Sequence, residues 1–321
     1  MRLSMKGYIT CKEAEAYSDC ADRYAYNMAA HRFAISDGVT KSFFPKLWSK
    51  VLVEQSVAPS GAAGLPMEQC QAEWLNEVTQ RVSHDDVKWF TRNAFLRKEP
   101  GLATLVTLAL DDENFIWTAE AIGDSFLFFV PDSVRDDFEK WDKLSSKPDP
   151  IEFDNYPDYL SSRGKGKGEK RELAGYLEPG TFYLMTDALS EWMFNEQSEA
   201  LRVIEEEWTD QKAFEASVAH LRNEGRLHND DSSALIIRLE DDNIWDICDG
   251  DTAVTDIDEL IETECALKEC RKEIQTVYAD LNERINDLLQ TYNISDNAKH
   301  DIKQQLSEEF ALPNRNCDSH E

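Results

Sequence analysis

Five aspartates stand at the ends of apolar segments, and they are the residues whose type and placement could do chemistry. A single Asp at such a junction is commonly a turn former or a helix cap. Five of them within 240 residues, two beside a glycine, instead indicate a shared site. Side-chain oxygens are the ligands that magnesium and manganese prefer. The five are Asp22 in CADRYAYN, Asp37 in FAISDGVT, Asp124 in AIGDSFLFF, Asp187 in YLMTDALSEW and Asp230 in NDDSSALIIRL.

The segments that must position these acids have the patterns of strands and helices. Runs rich in β-branched and aromatic residues predict strands at 32–36, 103–110, 115–122, 126–130, 182–185 and 234–239. Amphipathic spacing predicts helices near 44–54, 67–82, 86–96, 198–208 and 211–224. Because the strands follow one another instead of alternating with helices, we expect an α+β fold and not a doubly wound parallel sheet.

The segment Ser161–Arg171 (SSRGKGKGEKR) holds the main local concentration of positive charge. Its glycines and its lack of apolar residues predict a flexible solvated loop. Contact with an anionic phosphoprotein is the alternative interpretation.

The composition changes after Glu240, where an acidic turn precedes a stretch without Pro or Gly from Asp251 to Ser307. The stretch predicts a long helix with a coiled-coil-like seam, because apolar residues recur every seven positions. Glu264 and Arg271 interrupt the companion stripe, so packing within the chain and association with a partner or a second copy both stay open. The seam consists of Leu260, Leu267, Ile274, Leu281 and Leu288, and a second short helix is expected to carry Ile302, Leu306 and Phe310 on one face.

The formal net charge of -29 disfavours binding to nucleic acid or to anionic lipid. No apolar run is long enough for a membrane span, and the N-terminal residues do not resemble a signal peptide, so we expect a cytoplasmic protein. The seven cysteines are scattered without a C-x-x-C pair, which argues against a disulfide framework or a zinc site.

The ordered set of acidic motifs resembles the metal-dependent serine/threonine phosphatases of the protein phosphatase 2C type, in particular their compact bacterial branch. The resemblance covers roughly residues 11–239. It rests on Asp22, Asp37-Gly38, Gly-x-Ala-Thr at 101–104, Gly-Asp-Ser at 123–125, Thr-Asp-Ala at 186–188 and Asn-Asp-Asp-Ser-Ser at 229–233.

The resemblance implies a fold and a set of roles. The fold is a four-layer αββα sandwich of two antiparallel sheets flanked by helices, in residues 1–240, followed by an acidic helical extension in 241–321. Asp37 looks like the carboxylate that bridges two Mn2+ or Mg2+ ions, with the Gly38 carbonyl on the first ion and Asp187 and Asp230 completing the second. Asp124 is similar to the acid that, with Asp187, holds a weaker third ion. Asp22 looks like the acid that orients the attacking water.

The implied reaction is hydrolysis of phosphoserine or phosphothreonine on a protein by a metal-activated water, without a phosphoenzyme. The expected partner is a phosphorylated protein, such as a cognate Ser/Thr kinase or the target of that kinase. The absence of a C-x5-R loop and of a Ser/His/Asp arrangement agrees with this chemistry.

Departures from the family pattern concern the groups around the metals. Val39-Thr40 stands where many members have the His assigned as the leaving-group acid, so Thr40, a metal-held water or a His from elsewhere such as His31 are the alternatives. The Arg that grips phosphate in some members has no evident match, which leaves Arg2, Lys6 and Lys12 as candidates. Glu191 replaces the common second Asp of the Asp187 motif.

Two other functions compete with a protein phosphatase. One is an inactive phosphatase fold that binds a phosphoprotein or a regulatory partner through the C-terminal helices. The other is a phosphatase for small molecules or for nucleic-acid ends. Retention of Asp37, Asp187 and Asp230 argues against the inactive module, because clustered like charges are unfavourable without cations.

Overall fold

The computed structural model describes residues 1–59, 64–148, 151, 153, 157–242, 247–292, 298, 301, 302, 304 and 305. Two compact units divide the chain, Met1–Ile261 and Glu262–Glu321. The strands are β1 (Arg2–Thr10), β2 (Arg23–Asn27), β3 (Arg32–Ser36), β4 (Leu102–Ala103), β5 (Leu105–Asp111), β6 (Ile116–Ile122), β7 (Phe126–Pro131), β8 (Asp142–Leu144), β9 (Leu160–Ser161), β10 (Arg171–Tyr176), β11 (Gly180–Met185), β12 (Ser232–Glu240) and β13 (Cys248–Val254). The helices are α1 (Pro45–Val57), α2 (Met67–Val82), α3 (Trp89–Leu96), α4 (Asp187–Glu196), α5 (Ser198–Glu207), α6 (Gln211–Asn223) and α7 (Ile257–Thr291).

Two large sheets form the centre of the first unit. One has six strands in the order β13-β1-β12-β11-β7-β8, and the other has five in the order β10-β6-β5-β3-β2. A short pair, β4 and β9, stands apart from them. Neighbouring strands run antiparallel except β13, which pairs in parallel with β1.

Strand β7 shows why the sheets stack face to face. Phe126 and Phe128 point to the cluster that includes α4, α5 and α6, whereas Leu127 and Phe129 point to the cluster between the sheets. Alternate side chains of a strand face opposite sides, so a strand that is apolar at every position needs a covering layer on both. A third cluster joins α1, α2 and α3 to the outer face of the five-stranded sheet. The four-layer αββα sandwich expected from the sequence is thus confirmed.

Six strands fall outside the sequence-based prediction, β1, β2, β8, β9, β10 and β13. In β1, Leu3 and Met5 are buried and alternate with polar neighbours, a period-two pattern that identifies a half-buried strand. Strand β13 occupies part of the acidic segment predicted as a turn, and that prediction is wrong there. Backbone hydrogen bonds to β1 decide its conformation, because the polar side chains of an edge strand can stay in solvent.

The second unit continues helix α7, which begins in the first. Its seam residues Leu267, Ile274, Leu281 and Leu288 are between 43% and 57% exposed, whereas Leu289 is buried. The predicted second helix falls mostly outside the described residues, as Leu306 and Phe310 do. Among the described helices, none is both long and apolar enough to cross a membrane.

Candidate active site

Strand register brings the five aspartates to one end of the sandwich. Arg23 lies opposite Ser36 in the β2–β3 pair, so Asp22 and Asp37 are neighbours at the edge of the five-stranded sheet. In the six-stranded sheet, β11 lies between β7 and β12 and is antiparallel to both. The end of β11 therefore meets the starts of its two neighbours. These three ends carry Asp187, Asp124 and Asp230.

Thr104 fixes the backbone beside Asp37. Its Oγ1 accepts a hydrogen bond from the Asp37 amide at 3.0 Å and is 2.7 Å from Ser125 Oγ, while its own amide donates to the Asp37 carbonyl at 2.9 Å. One buried threonine thus links the end of β3 to the turn that carries Asp124.

Asp22 is buried at the base of the site. Its Oδ2 accepts a hydrogen bond from Thr186 Oγ1 at 2.9 Å, and Thr186 Oγ1 in turn accepts one from the Ser233 amide at 3.0 Å. Asp22 Oδ1 is buried and has no hydrogen-bond partner within the described residues. This oxygen is the kind of acceptor that a bound water would satisfy.

The aspartates raise one another's pKa values. Burial, and then the charge of Asp187, raises the pKa of Asp37 well above its usual range. Burial, and then the charge of Asp124, does the same to the pKa of Asp187. Burial and the charge of Asp231 raise the pKa of Asp22 to about 7. The cluster therefore favours neutralisation by protons or by cations.

Two lysines supply positive charge at the rim and the base. Lys12 Nζ lies 2.8 Å from Asp230 Oδ1 and donates to Thr40 Oγ1 at 3.2 Å. Lys147 Nζ lies 3.9 Å from Asp124 Oδ2, and both of these side chains are buried.

Asp231 holds the loops together. Its Oδ2 accepts a hydrogen bond from the Ala21 amide at 2.7 Å, and its Oδ1 accepts one from the Lys12 amide at 3.1 Å. It ties the start of β12 to the segments that carry Lys12 and Asp22.

Several residues named from the sequence lie away from this cluster. His31 is in the β2–β3 turn, at the opposite end of β3 from Asp37, so it cannot serve as the leaving-group acid. Lys6 Nζ donates to the Trp208 carbonyl, and Arg2 pairs with Asp251 at 3.3 Å near the other end of β1. Of the three cations considered for phosphate, Lys12 is the one at the aspartates.

The sequence reasoning missed Lys147 and His228. Lys147 carries no motif signal, because its contact with Asp124 depends on the fold of the segment between β8 and β9. His228 Nδ1 lies 3.4 Å from Glu191 Oε2, one helical turn after Asp187. A His two residues before Asp230 was the available signal.

The residues fit divalent cations by their chemistry. In the part of the chain that the structure describes, no group of three or more His, Cys, Asp or Glu side chains is arranged tightly enough to hold a metal ion. The donor set is nevertheless all oxygen, its acids raise one another's pKa, and Asp22 Oδ1 is buried without a partner. These features are what hard cations would satisfy.

Comparison with known proteins gives similarity of fold alone. No protein-family model and no curated protein sequence matches the chain. The photosystem II phosphatase PBCP is 16% identical, with a TM-score of 0.48 over 74% of this chain and 99% of that one. The serine/threonine phosphatase Stp1 from Staphylococcus aureus is 11% identical, with a TM-score of 0.49 over 74% and 95%. RsbX, solved in complex with magnesium, is 14% identical, with a TM-score of 0.42 over 73% and 94%.

The structural neighbours are thus phosphatases of the protein phosphatase 2C type, the family that the sequence motifs resemble.

Proposed function

We propose that this chain hydrolyses phosphoserine and phosphothreonine on a protein substrate, and that the reaction depends on two Mn2+ or Mg2+ ions. The observation that carries the proposal is the convergence of Asp37, Asp187 and Asp230 at one end of the sandwich, with Asp22 and Asp124 beside them. Burial and mutual repulsion make this cluster unfavourable unless protons or cations neutralise it, and raised pKa values are what a cluster of cation-binding carboxylates shows without its ions.

Asp37, the Gly38 carbonyl, Asp187 and Asp230 would hold the two ions. When bound, the ions would lower the pKa of a water molecule toward neutrality and neutralise charge on the phosphate oxygens. Asp22 Oδ1 would accept a hydrogen bond from that water, since Oδ2 is already engaged by Thr186. Asp22 thereby orients the nucleophile.

Lys12 and Thr40 would bind the phosphate and the leaving oxygen. The Lys12 ammonium already reaches Asp230 and Thr40 at the rim of the site, where a phosphate dianion would meet it. Thr40 carries a hydroxyl next to Val39, which stands at the place of the missing histidine, and can donate a hydrogen bond to the leaving oxygen.

Lys147 affects how many metal ions the site is expected to bind. Its ammonium supplies a positive charge to Asp124, the acid that a weaker third ion would use. We therefore propose two ions in the resting protein, and a third only if Lys147 leaves Asp124.

The alternative is a binding module that has lost catalysis. Loss of the histidine favours it, and retention of the acidic cluster opposes it. Hydrolysis of p-nitrophenyl phosphate and of a phosphothreonine peptide, with Mn2+ or with EDTA, separates the two functions. Turnover that requires the metal supports the enzyme, and no turnover with any divalent ion by folded protein supports the module.

The expected partners are a phosphorylated protein, such as a Ser/Thr kinase or its target, and a second copy of this chain. The heptad seam of α7 requires a helical partner. We propose a second copy because the seam residues Leu267, Ile274, Leu281 and Leu288 are between 43% and 57% exposed. Glu262, Glu269 and Glu283 lie on the side away from the seam, whereas Glu259, Glu264, Glu273, Asp280 and Asp287 flank it. The boundary predicted at Glu240 stays a prediction.

A further inference from the structure

Helix α3 exposes large apolar side chains on a strongly acidic protein. Trp89 and Leu96 are each 75% exposed and Phe90 is 54% exposed. Trp89, Arg92 and Leu96 follow one another at helical spacings of three and four residues, so they share one face of the helix. Single exposed apolar residues are ordinary, but three within one eight-residue helix form a patch of the kind that marks an interaction site.

The charge around this patch is opposite to that of the whole chain. Residues 85–99 contain four basic and three acidic residues, with Arg97 paired to Glu99 at 2.6 Å, and Ser161–Arg171 contains five basic residues and one acidic residue, in a chain of net charge -29. Lys88 Nζ lies 5.7 Å from the centroid of the Phe90 ring. Positive charge and exposed aromatic surface therefore coincide.

Arg163 joins the two basic segments. Its guanidinium lies 5.5 Å from the Trp74 ring centroid and 5.6 Å from that of Phe95. Gln71 on α2 donates hydrogen bonds to the carbonyls of Ser161 and Gly164, each at 3.0 Å. The start of the loop, residues 161–164, is thus held against α2 and α3, whereas residues 165–171 are exposed as predicted from the sequence. We call residues 88–98 and 163–167 together the basic aromatic face.

This face adjoins the aspartate cluster. Gly101 donates to Ser162 Oγ at 2.8 Å, and the Ser162 amide donates to the Gly101 carbonyl at 2.9 Å. Gly101 is three residues before Thr104, the residue that fixes Asp37. The face is thus connected to the segment beside Asp37 through buried Ser162, and residues that flank a phosphorylated residue at the aspartates would lie on the face.

We infer that the basic aromatic face docks an acidic segment with apolar side chains that flanks the phosphorylated residue of the protein substrate. The inference rests on the proposed function, because it names the substrate of the same site. Lysine and arginine side chains would steer the acidic segment to the surface, and Trp89 with Arg92 would form the energetic centre, since Trp and Arg dominate binding hot spots. Nucleic acid and anionic lipid share part of this chemistry, but the net charge of -29 opposes these highly charged partners more strongly than a short acidic segment.

Two phosphothreonine peptides test the inference, one flanked by Glu and Leu and one in which each Glu is Gln. We expect wild-type kcat/KM to favour the acidic peptide. Trp89→Ser, or the double change Lys165→Gln with Lys167→Gln, should raise the KM for this peptide about tenfold, which corresponds to about 1.4 kcal/mol. Turnover of p-nitrophenyl phosphate should keep its wild-type value, because that substrate is too small to reach α3. Melting temperatures check that each variant is folded.

Tyr176→Ser and Lys212→Gln are the matched controls, since Tyr176 is an equally exposed aromatic on β10 and Lys212 an exposed lysine on α6. Neither should change the peptide KM. Equal kcat/KM for the two peptides, or a loss in the controls as large as in Trp89→Ser, would overturn the docking surface. So would Trp89-dependent binding of a single-stranded oligonucleotide or of phosphatidylserine vesicles without any effect on the peptides.

Fluorescence anisotropy of the labelled acidic peptide separates the docking from the catalysis. Peptide binding that is lost in Trp89→Ser, without turnover of any substrate, would keep the surface and remove the proposed phosphatase activity. Metal-dependent turnover of p-nitrophenyl phosphate without preference between the peptides would keep the phosphatase and remove the surface.

Discussion

Two aspartates of the site, Asp187 and Asp22, show how a carboxylate is held in place while part of it stays available for a ligand. Asp187 is the first residue of α4, and its Oδ1 accepts a hydrogen bond from the Ala188 amide at 2.7 Å. Asp22 has one oxygen engaged and one without a partner in the described residues. The sequence motifs indicated these acids correctly as residues at strand ends. They could not indicate Lys147, because no local pattern reports a contact between a loop residue and an acid more than 20 residues away.

Protons should compete with the metal ions for the site. Asp22 has a pKa near 4 in the unfolded chain and about 7 in the folded protein. Such a carboxyl lowers the stability of the folded protein as the pH rises from the first value to the second. The free energy of unfolding of the metal-free protein should therefore fall between about pH 4 and about pH 7. A bound divalent ion should restore the lost stability. We expect Mn2+ to raise the melting temperature by several degrees more at about pH 8 than at about pH 5.5. Equal shifts at the two pH values would contradict the coupling.

Removing the Lys147 charge should expose Asp124 to a cation. In Lys147→Met, titration calorimetry with Mn2+ should show one further weak binding event compared with the wild type, because Asp124 loses its ammonium partner. Lys143→Met is the matched control, since Lys143 is partly buried in the same segment but donates to the Phe138 carbonyl. An unchanged number of ions in Lys147→Met would show that Lys147 does not replace a third ion.

At the scale of elements, the apolar patterns predicted most of the central strands and helices of the sandwich. Polar edge strands such as β13 were not predicted. Helix α2 spans 67–82 as the amphipathic spacing indicated, and β3 spans 32–36 as expected. Helix α4 was not predicted, because it has only ten residues and its buried positions include Ser190 beside the apolar ones. Strand β13 has no apolar alternation, and only the register with β1 reveals it.

The turn between β6 and β7 illustrates how an element positions a residue of the site. Gly123 has φ +106°, and a Cβ there would lie 2.4 Å from Thr104 Cγ2. Gly123→Ala should cost about 1–3 kcal/mol of unfolding free energy and should lower activity, because Asp124 and Thr104 would shift together. Gly225→Ala is the control, with φ +69° but no atom within 4 Å of the added carbon. If urea unfolding gives the same loss for both variants, the close contact with Thr104 does not matter.

At the scale of the whole molecule, the exposed seam of α7 predicts association of two copies. The double change Ile274→Glu with Leu281→Glu places charge on the seam and should give a monomer by sedimentation equilibrium, whereas the wild type should form dimers. Glu269→Gln, on the side of the helix away from the seam, should leave the dimer intact. A wild-type protein that stays monomeric at all accessible concentrations would contradict self-association and favour a different partner for α7.

The central claim is that the aspartate cluster binds catalytic cations. The most direct test is Mn2+-dependent turnover of a phosphothreonine peptide by the wild type, Asp187→Asn and Asp231→Asn. Binding of Mn2+ to each protein is measured in parallel. Asp231 makes hydrogen bonds to Ala21 and Lys12, so its substitution tests a structural role beside the same site. We predict that Asp187→Asn folds, loses tight Mn2+ binding and loses turnover by about 100-fold or more, whereas Asp231→Asn loses stability and still binds Mn2+. Wild-type turnover that persists in EDTA, or in Asp187→Asn, would contradict the account.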